Sequence, residues 1–112
     1  MQPIDHIKAS FSHPDDILNY ALSLHLEWGE NFGKPIHERM KQQYPHLWPQ
    51  EIEQLDSQAK AIKYDSFRLF EQELDGKITE LEVRRRIKEQ FPGISQDNIN
   101  RLSTQGMYYA RR

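Results

Sequence analysis

The chain has 112 residues, no cysteine and a formal net charge of −2. That length fits one domain and leaves no room for two full cores. The lack of cysteine excludes disulfides, thiolate zinc sites and cysteine nucleophiles, and it suits a reducing compartment, so a cytoplasmic location is expected.

At 37% hydrophobic and 29% charged residues, the core must be thin and rest on large side chains, which two Trp, five Phe and five Tyr supply. No apolar stretch approaches the roughly 20 residues that cross a bilayer. Met1 to Pro14 shows no basic region followed by an apolar run, the pattern of a signal peptide. No membrane partner is expected.

Residues 1–11 show no clear period and read as an N-terminal arm. Ser12-His13-Pro14-Asp15 is a helix start: Ser12 caps, Pro14 sits in the first turn, and Asp15 and Asp16 complement the helix dipole. Ile17, Leu18, Ala21, Leu22, His25 and Trp28 then share one face. Gly29 and Gly33 stop this helix. Pro35 begins a short second helix carrying Ile36 and Met40, and Tyr44-Pro45 ends it. Trp48-Pro49 opens the longest helix, which runs to about Leu74 through Ile52, Leu55, Ala59, Ile62, Phe67 and Phe70. Asp75-Gly76 is a C-terminal stop. Thr79-Glu80-Leu81-Glu82 is a capping box for a fourth helix with Val83, Ile87 and Phe91. Pro92-Gly93 breaks the chain, and Ser95 caps a fifth helix with Ile99 and Leu102 inside. Gly106 either ends that helix or weakens it. No segment sustains the period-two alternation of a strand.

A shift of 47 residues aligns 36–55 with 83–102 without gaps. Arg39/Arg86, Lys41/Lys88, Gln43/Gln90, Pro45/Pro92, Ile52/Ile99 and Leu55/Leu102 are identical. Ile36/Val83, Met40/Ile87, Tyr44/Phe91 and Leu47/Ile94 keep their character, and Gly29/Gly76 and Tyr20/Phe67 also align. The matched positions are those a helical hairpin needs: a core face, an aromatic-Pro stop, an aliphatic plug and two anchors on the next helix. Either one unit is used twice, or two hairpins end alike. Both readings give an all-α fold, a compact bundle of about five helices, with 1–112 as a single helical domain.

Charge is unevenly spread. Residues 1–82 hold eight Lys/Arg against fifteen Asp/Glu, a balance of −7, whereas residues 83–112 hold seven against two, a balance of +5. The halves attract each other within the fold or mark a face for an anionic partner. Arg84-Arg85-Arg86 spans about 200° of a helix, so the three cannot all face one groove. They are placed to pair with Glu80, Glu82 or Glu89.

Two stretches resemble known families. Gly93 to Leu102 resembles the turn and recognition helix of helix–turn–helix repressors. That resemblance implies base or phosphate contacts from Gln96, Asn98, Asn100 and Arg101, with Arg84, Arg85, Arg86, Arg111 and Arg112 neutralising phosphates. Pro92 adds a residue to the turn of that family, and Lys88 falls near its small-residue position. Glu71 to Glu82 resembles an EF-hand calcium loop, with Gly76 at the sharp turn, Ile78 at the apolar position and Glu82 at the final ligand position. Glu71 and Glu73 depart from it, being longer than the Asp expected there. An Asp-Gly stop followed by a Thr-x-x-Glu start produces most of the same letters.

Chemistry finds less support. The five histidines, His6, His13, His25, His37 and His46, show no HExxH or other ligand spacing. His25 reads as a hydrogen-bonded core residue. No phosphate loop or nucleophile–base pairing is visible, so no catalytic residue, metal or cofactor is expected. Trp48 reads as a staple closing the long helix or, if exposed, as an anchor for a partner, and Tyr108 raises the same choice. The leading expectation is a non-enzymatic binding or regulatory module acting through a protein partner, and an acidic one suits the basic hairpin. The residues expected to bind it are Arg84, Arg85, Gln96, Asn98, Asn100, Arg101, Arg111, Arg112, Trp48 and Tyr108. The alternative is a nucleic-acid binder using 83–112, and a further one is a calcium site in 71–82.

Overall fold

A computed structural model describes residues 13–31 and 33–111. The arm at 1–11, the Ser12 cap and Arg112 lie outside the described residues. Among the described residues, five α-helices follow in order: α1 (Pro14–His25), α2 (His37–Gln43), α3 (Pro49–Leu74), α4 (Glu80–Gln90) and α5 (Gln96–Ala110), with a 3₁₀ turn at Gly29–Asn31 between α1 and α2. No strand occurs among the described residues. The fold is an all-helical bundle.

The helix ends follow local chemistry. The Nδ1 of His13 accepts from the Asp15 N–H at 3.0 Å, so His13 is the N-cap of α1, one residue after the position the sequence suggests. Thr79 Oγ1 accepts from the Glu82 N–H and Ser95 Oγ from the Asn98 N–H, both at 3.2 Å. Each satisfies a donor that the first turn of a helix leaves open. Helix α3 begins differently: the Trp48 N–H donates to Glu51 Oε1 at 2.8 Å. Gly76 ends α3 in the left-handed conformation at φ 77°, which glycine adopts without strain.

Helix α3 is the hub and touches every other helix. Its buried stripe, Ile52, Asp56, Ala59, Ile62, Ser66 and Phe70, recurs at three- and four-residue spacing. Helices α1 and α5 run parallel, because Asn98 meets Asn19 and Gln105 meets Leu26, seven residues further along both segments. Both lie on α3, with α5 antiparallel to it: Gly106 packs on Phe70 and Tyr109 on Phe67. Gly106 does not end α5. It is buried inside the helix, where any Cβ would overlap the Phe70 ring. Its missing side chain is what lets α5 sit close to α3.

The two matched segments form the same hairpin. Tyr44 leaves α2 at φ −129°, ψ 75°, and Phe91 leaves α4 at φ −130°, ψ 73°. Each aromatic N–H donates to the carbonyl four residues back, Met40 or Ile87, at 2.8 Å. Leu47 and Ile94 plug the two turns, donating to Tyr44 and Phe91 carbonyls at 3.1 Å. Ile36, Met40, Leu47 and Ile52 are buried, as are Val83, Ile87, Ile94 and Ile99. Gly29 and Gly76, in front of the two units, share positive φ at 81° and 77°.

Candidate interaction surface

Helix α5 has two faces because its sequence has two. Asn98, Ile99, Leu102, Gln105 and Gly106 are buried. Asp97, Arg101, Thr104, Tyr108 and Arg111 recur at three- and four-residue spacing on the opposite side and are exposed. Along this side run two adjoining hollows that share Thr104. One is lined by Leu26, Glu27, Trp28, Asn100, Arg101 and Thr104. The other is lined by Ser103, Thr104, Met107, Tyr108 and Arg111.

Aromatic packing fixes this surface to the core. The sequence pattern places Trp28 on the face of the first helix, but Leu26 caps α1 and Trp28 lies beyond it, 48% exposed. Its ring meets Tyr108, itself 49% exposed, edge-on at 5.3 Å. Tyr109 stacks beside Trp28 at 6.3 Å and reaches Phe67 of α3 at 5.5 Å. Lys63 places its ammonium 5.7 Å from the Phe67 ring and donates to the His25 carbonyl, at the C-terminal end of α1 where a cation is favoured. Burial holds the Lys63 ammonium below its ordinary value. The exposed rings are therefore seated on ordered ones.

The arginines expected to bind divide into two groups. On α4, Arg84 pairs with Glu80 at 3.2 Å, Arg85 with both Glu82 and Glu89, and Arg86 with Glu82 at 3.0 Å. Hydrogen bonds from Arg85 and Arg86 lower the Glu82 carboxyl to about 2. Arg84 also donates to Asn100 Oδ1 at 2.9 Å, and Gln96 donates to the same oxygen at 3.1 Å. On α5, by contrast, no carboxylate among the described residues lies within ion-pair reach of Arg101 or Arg111. Among the described residues, Arg101 donates to Asn98 Oδ1, at 2.9 Å. The surplus positive charge of the C-terminal segment thus concentrates on the outer side of α5.

Asn98 requires a correction. It is 1% exposed, and its amide donates to both the carbonyl and the Oδ1 of Asn19 at 2.9 Å. Asn19 in turn donates to the Asp15 and Gly93 carbonyls and accepts from the Ser95 N–H, each at 2.8 Å. Asn98 is thus a strut between α1 and the α4–α5 turn, with no side-chain atom left to read a partner. Trp48 is 70% exposed but far from the α5 surface. Phe67 is nineteen positions further on, about 28 Å along α3. In the calcium-loop stretch, Glu71 to Leu74 form the last turn of α3 and Glu82 is held by two arginines. Among the described residues its carboxylates do not converge as a ligand set.

A second polar feature escaped the sequence pattern. His25, at the end of α1, places Nε2 2.7 Å from Asp56 Oδ1 on α3. Asp56 is 3% exposed, and Lys60 pairs with its other oxygen at 3.1 Å. Burial pushes the His25 imidazole below its usual value, against the opposing pull of Asp56. Burial also acts to raise the Asp56 carboxyl, but the hydrogen bonds from Lys60 and His25 outweigh it and hold Asp56 low. The two residues are 31 apart in sequence, so only the packing of α1 on α3 reveals the pair.

Among the described residues, no helix is long and apolar enough to cross a membrane. Comparison with protein-family models, with curated proteins and with solved structures finds no match.

Proposed function

We propose that this protein is a non-enzymatic binding module that engages an acidic protein partner through the outer side of α5 and the adjoining Trp28. One observation carries this reading: Trp28, Tyr108, Arg101 and Arg111 line two adjoining hollows on one helix face. Trp, Tyr and Arg are the residues that dominate binding hot spots, and here the aromatic pair is braced against α3 before any partner arrives. Among the described residues neither arginine has a carboxylate within ion-pair reach, and Arg111 feels only the longer-range charge of Glu73, so both favour an acidic counterpart.

The test is a comparative enrichment. Wild-type protein and a folded Tyr108→Ala/Arg101→Glu variant are each used to capture proteins from cell extract, and captured proteins are then titrated individually. A protein that binds the wild type directly and the variant at least tenfold more weakly supports the proposal. Equal binding to both sinks it.

The nucleic-acid alternative draws on Gln96, Asn100 and Arg101, all exposed in the first turns of α5. It requires affinity for duplex or single-stranded nucleic acid that falls steeply with salt. A titration at low and moderate salt separates the two: salt-dependent binding lost in Arg101→Ala favours nucleic acid, and no binding removes it.

A further inference from the structure

A group of metal-ligating side chains lies outside the two α5 hollows, where the start of α2 meets the first turns of α3. His37, the first residue of α2, places Nε2 2.9 Å from Glu53 Oε2. Glu53 and Asp56 are three residues apart on α3 and therefore share a face. Among the described residues, one ligand atom each from His37, Glu53 and Asp56 lie within 4.8 Å of one another. They adjoin a hollow lined also by His25, Lys60 and Lys63.

We infer that His37, Glu53 and Asp56 form a binding site for a divalent first-row transition ion, with zinc the natural occupant. The donor set is one imidazole nitrogen and two carboxylate oxygens, which such ions accept, and calcium or magnesium would want oxygen alone. Bonds of about 2.0–2.2 Å put ligand atoms about 3.3–3.6 Å apart around a tetrahedral ion. The His37–Glu53 separation of 2.9 Å needs only a small opening to reach that edge. The widest gap closes by movement of His37 and Glu53, whose side chains are 43% and 66% exposed.

Asp56 is the fixed member. It is buried, and its Oδ1 is held by His25, which acts as a positioning residue for the carboxylate in the way outer-shell partners orient metal ligands. Among the described residues, its Oδ2 carries the Lys60 ammonium, on a side chain 53% exposed. The ion replaces that ammonium, and Lys60 swings into solvent. The remaining coordination positions open toward the hollow and hold water. Residues 16 and 19 apart on two elements supply the ligands, so no local spacing announces them.

This site is independent of the binding proposal for α5, and its test does not involve that surface. Zinc is titrated calorimetrically into the full chain, and cobalt(II) is followed by its visible absorption. One equivalent should bind saturably with micromolar or tighter affinity. His37→Ala and Glu53→Gln, neither at a buried position and both checked for native circular dichroism, should each weaken binding at least tenfold. Lys60→Gln, which removes the competing cation, should tighten it several-fold. His13→Ala, elsewhere on the surface, should change nothing. The inference is overturned if no one-equivalent saturable binding occurs, if His37→Ala and Glu53→Gln both bind like the wild type, or if Lys60→Gln fails to tighten binding.

Discussion

The two hairpins turn the same corner, yet α1 grips them by different chemistry. Asn19 in the middle of α1 holds the α4–α5 hairpin through Asn98, Gly93 and Ser95, a set of neutral amide and backbone hydrogen bonds. His25 at the end of α1 holds the α2–α3 hairpin through Asp56, a bond between two titratable groups. The third helical residue after each turn marks the divergence. In the second hairpin this is Asn98, which faces inward to Asn19. In the first it is Glu51, which turns back to its own helix start at Trp48. A shared backbone unit can thus be docked in two ways by changing one side chain and its distant partner.

The sharpest break is expected at Gly106. Gly106→Val forces a branched side chain into the Phe70 ring, and overpacking of a closed interface costs about 3 kcal/mol. Denaturant unfolding measures it. The gain in helix propensity from replacing glycine, at most about 1 kcal/mol, opposes this loss without cancelling it. A variant as stable as the wild type would mean that α5 does not sit on Phe70.

Next is the amide strut. Asn98→Ala removes two bonds to Asn19 and leaves buried polar atoms without partners, a loss of about 2 kcal/mol. Asn19→Ala should cost a similar amount, and the double variant should cost clearly less than the sum, because both remove one network. Full additivity would show that the two amides are not coupled.

How far the sequence reveals these features depends on distance along the chain. The helix order and most ends are legible because Pro, Gly and capping residues act within a few positions. The α4 ion pairs are legible for the same reason: Arg84, Arg85 and Arg86 find acids three or four residues away. The illegible features are non-local. Asn98 looks like a surface reader until Asn19, 79 residues earlier, is placed against it. Gly106 looks like a weak point until Phe70 fills the space its side chain would need. Trp28 fits the apolar spacing of α1, but the helix stops at His25 and turns the indole toward Tyr108. Of the expected partner-binding residues, Asn100, Arg101, Tyr108 and Arg111 come together, and Trp48 stands apart.

The titratable grip predicts a pH response confined to the first hairpin. The native His25 lies below its ordinary 6.5, so on acidification the unfolded chain takes up the proton first. Stability from neutral His25 is full above 6.5 and declines as pH falls from there toward the lower native value. The native Asp56 lies below 3.8, so its contribution declines only as pH falls from 3.8 through its own lower value. Both changes weaken the α1–α3 contact in acid, and neither touches the Asn19–Asn98 strut. Amide exchange corrected for its intrinsic pH dependence should show residues 20–27 and 52–63 losing protection between pH 7 and 5. Residues 95–102 should keep theirs, and a uniform loss would count against two separate grips.

The smallest effects belong to the surface charges and caps, and they separate stability from binding. Glu51→Ala removes the bond to the Trp48 N–H and should cost only about 0.5–1 kcal/mol. Arg85→Ala removes pairs within the exposed surface of α4 and should leave the thermal midpoint unchanged, because such pairs are screened by water and salt. The binding readout should discriminate where stability does not. Arg85 is already neutralised by Glu82 and Glu89, so a partner gains little by approaching it. Arg101 has no such carboxylate among the described residues, and its substitution by Ala should weaken an acidic partner severalfold, with a stability cost of about 0.5–1 kcal/mol from its lost bond to Asn98 Oδ1. Equal loss from Arg85→Ala and Arg101→Ala would move the interaction surface from α5 alone to the whole second hairpin, and no loss from either would remove charge from its recognition altogether.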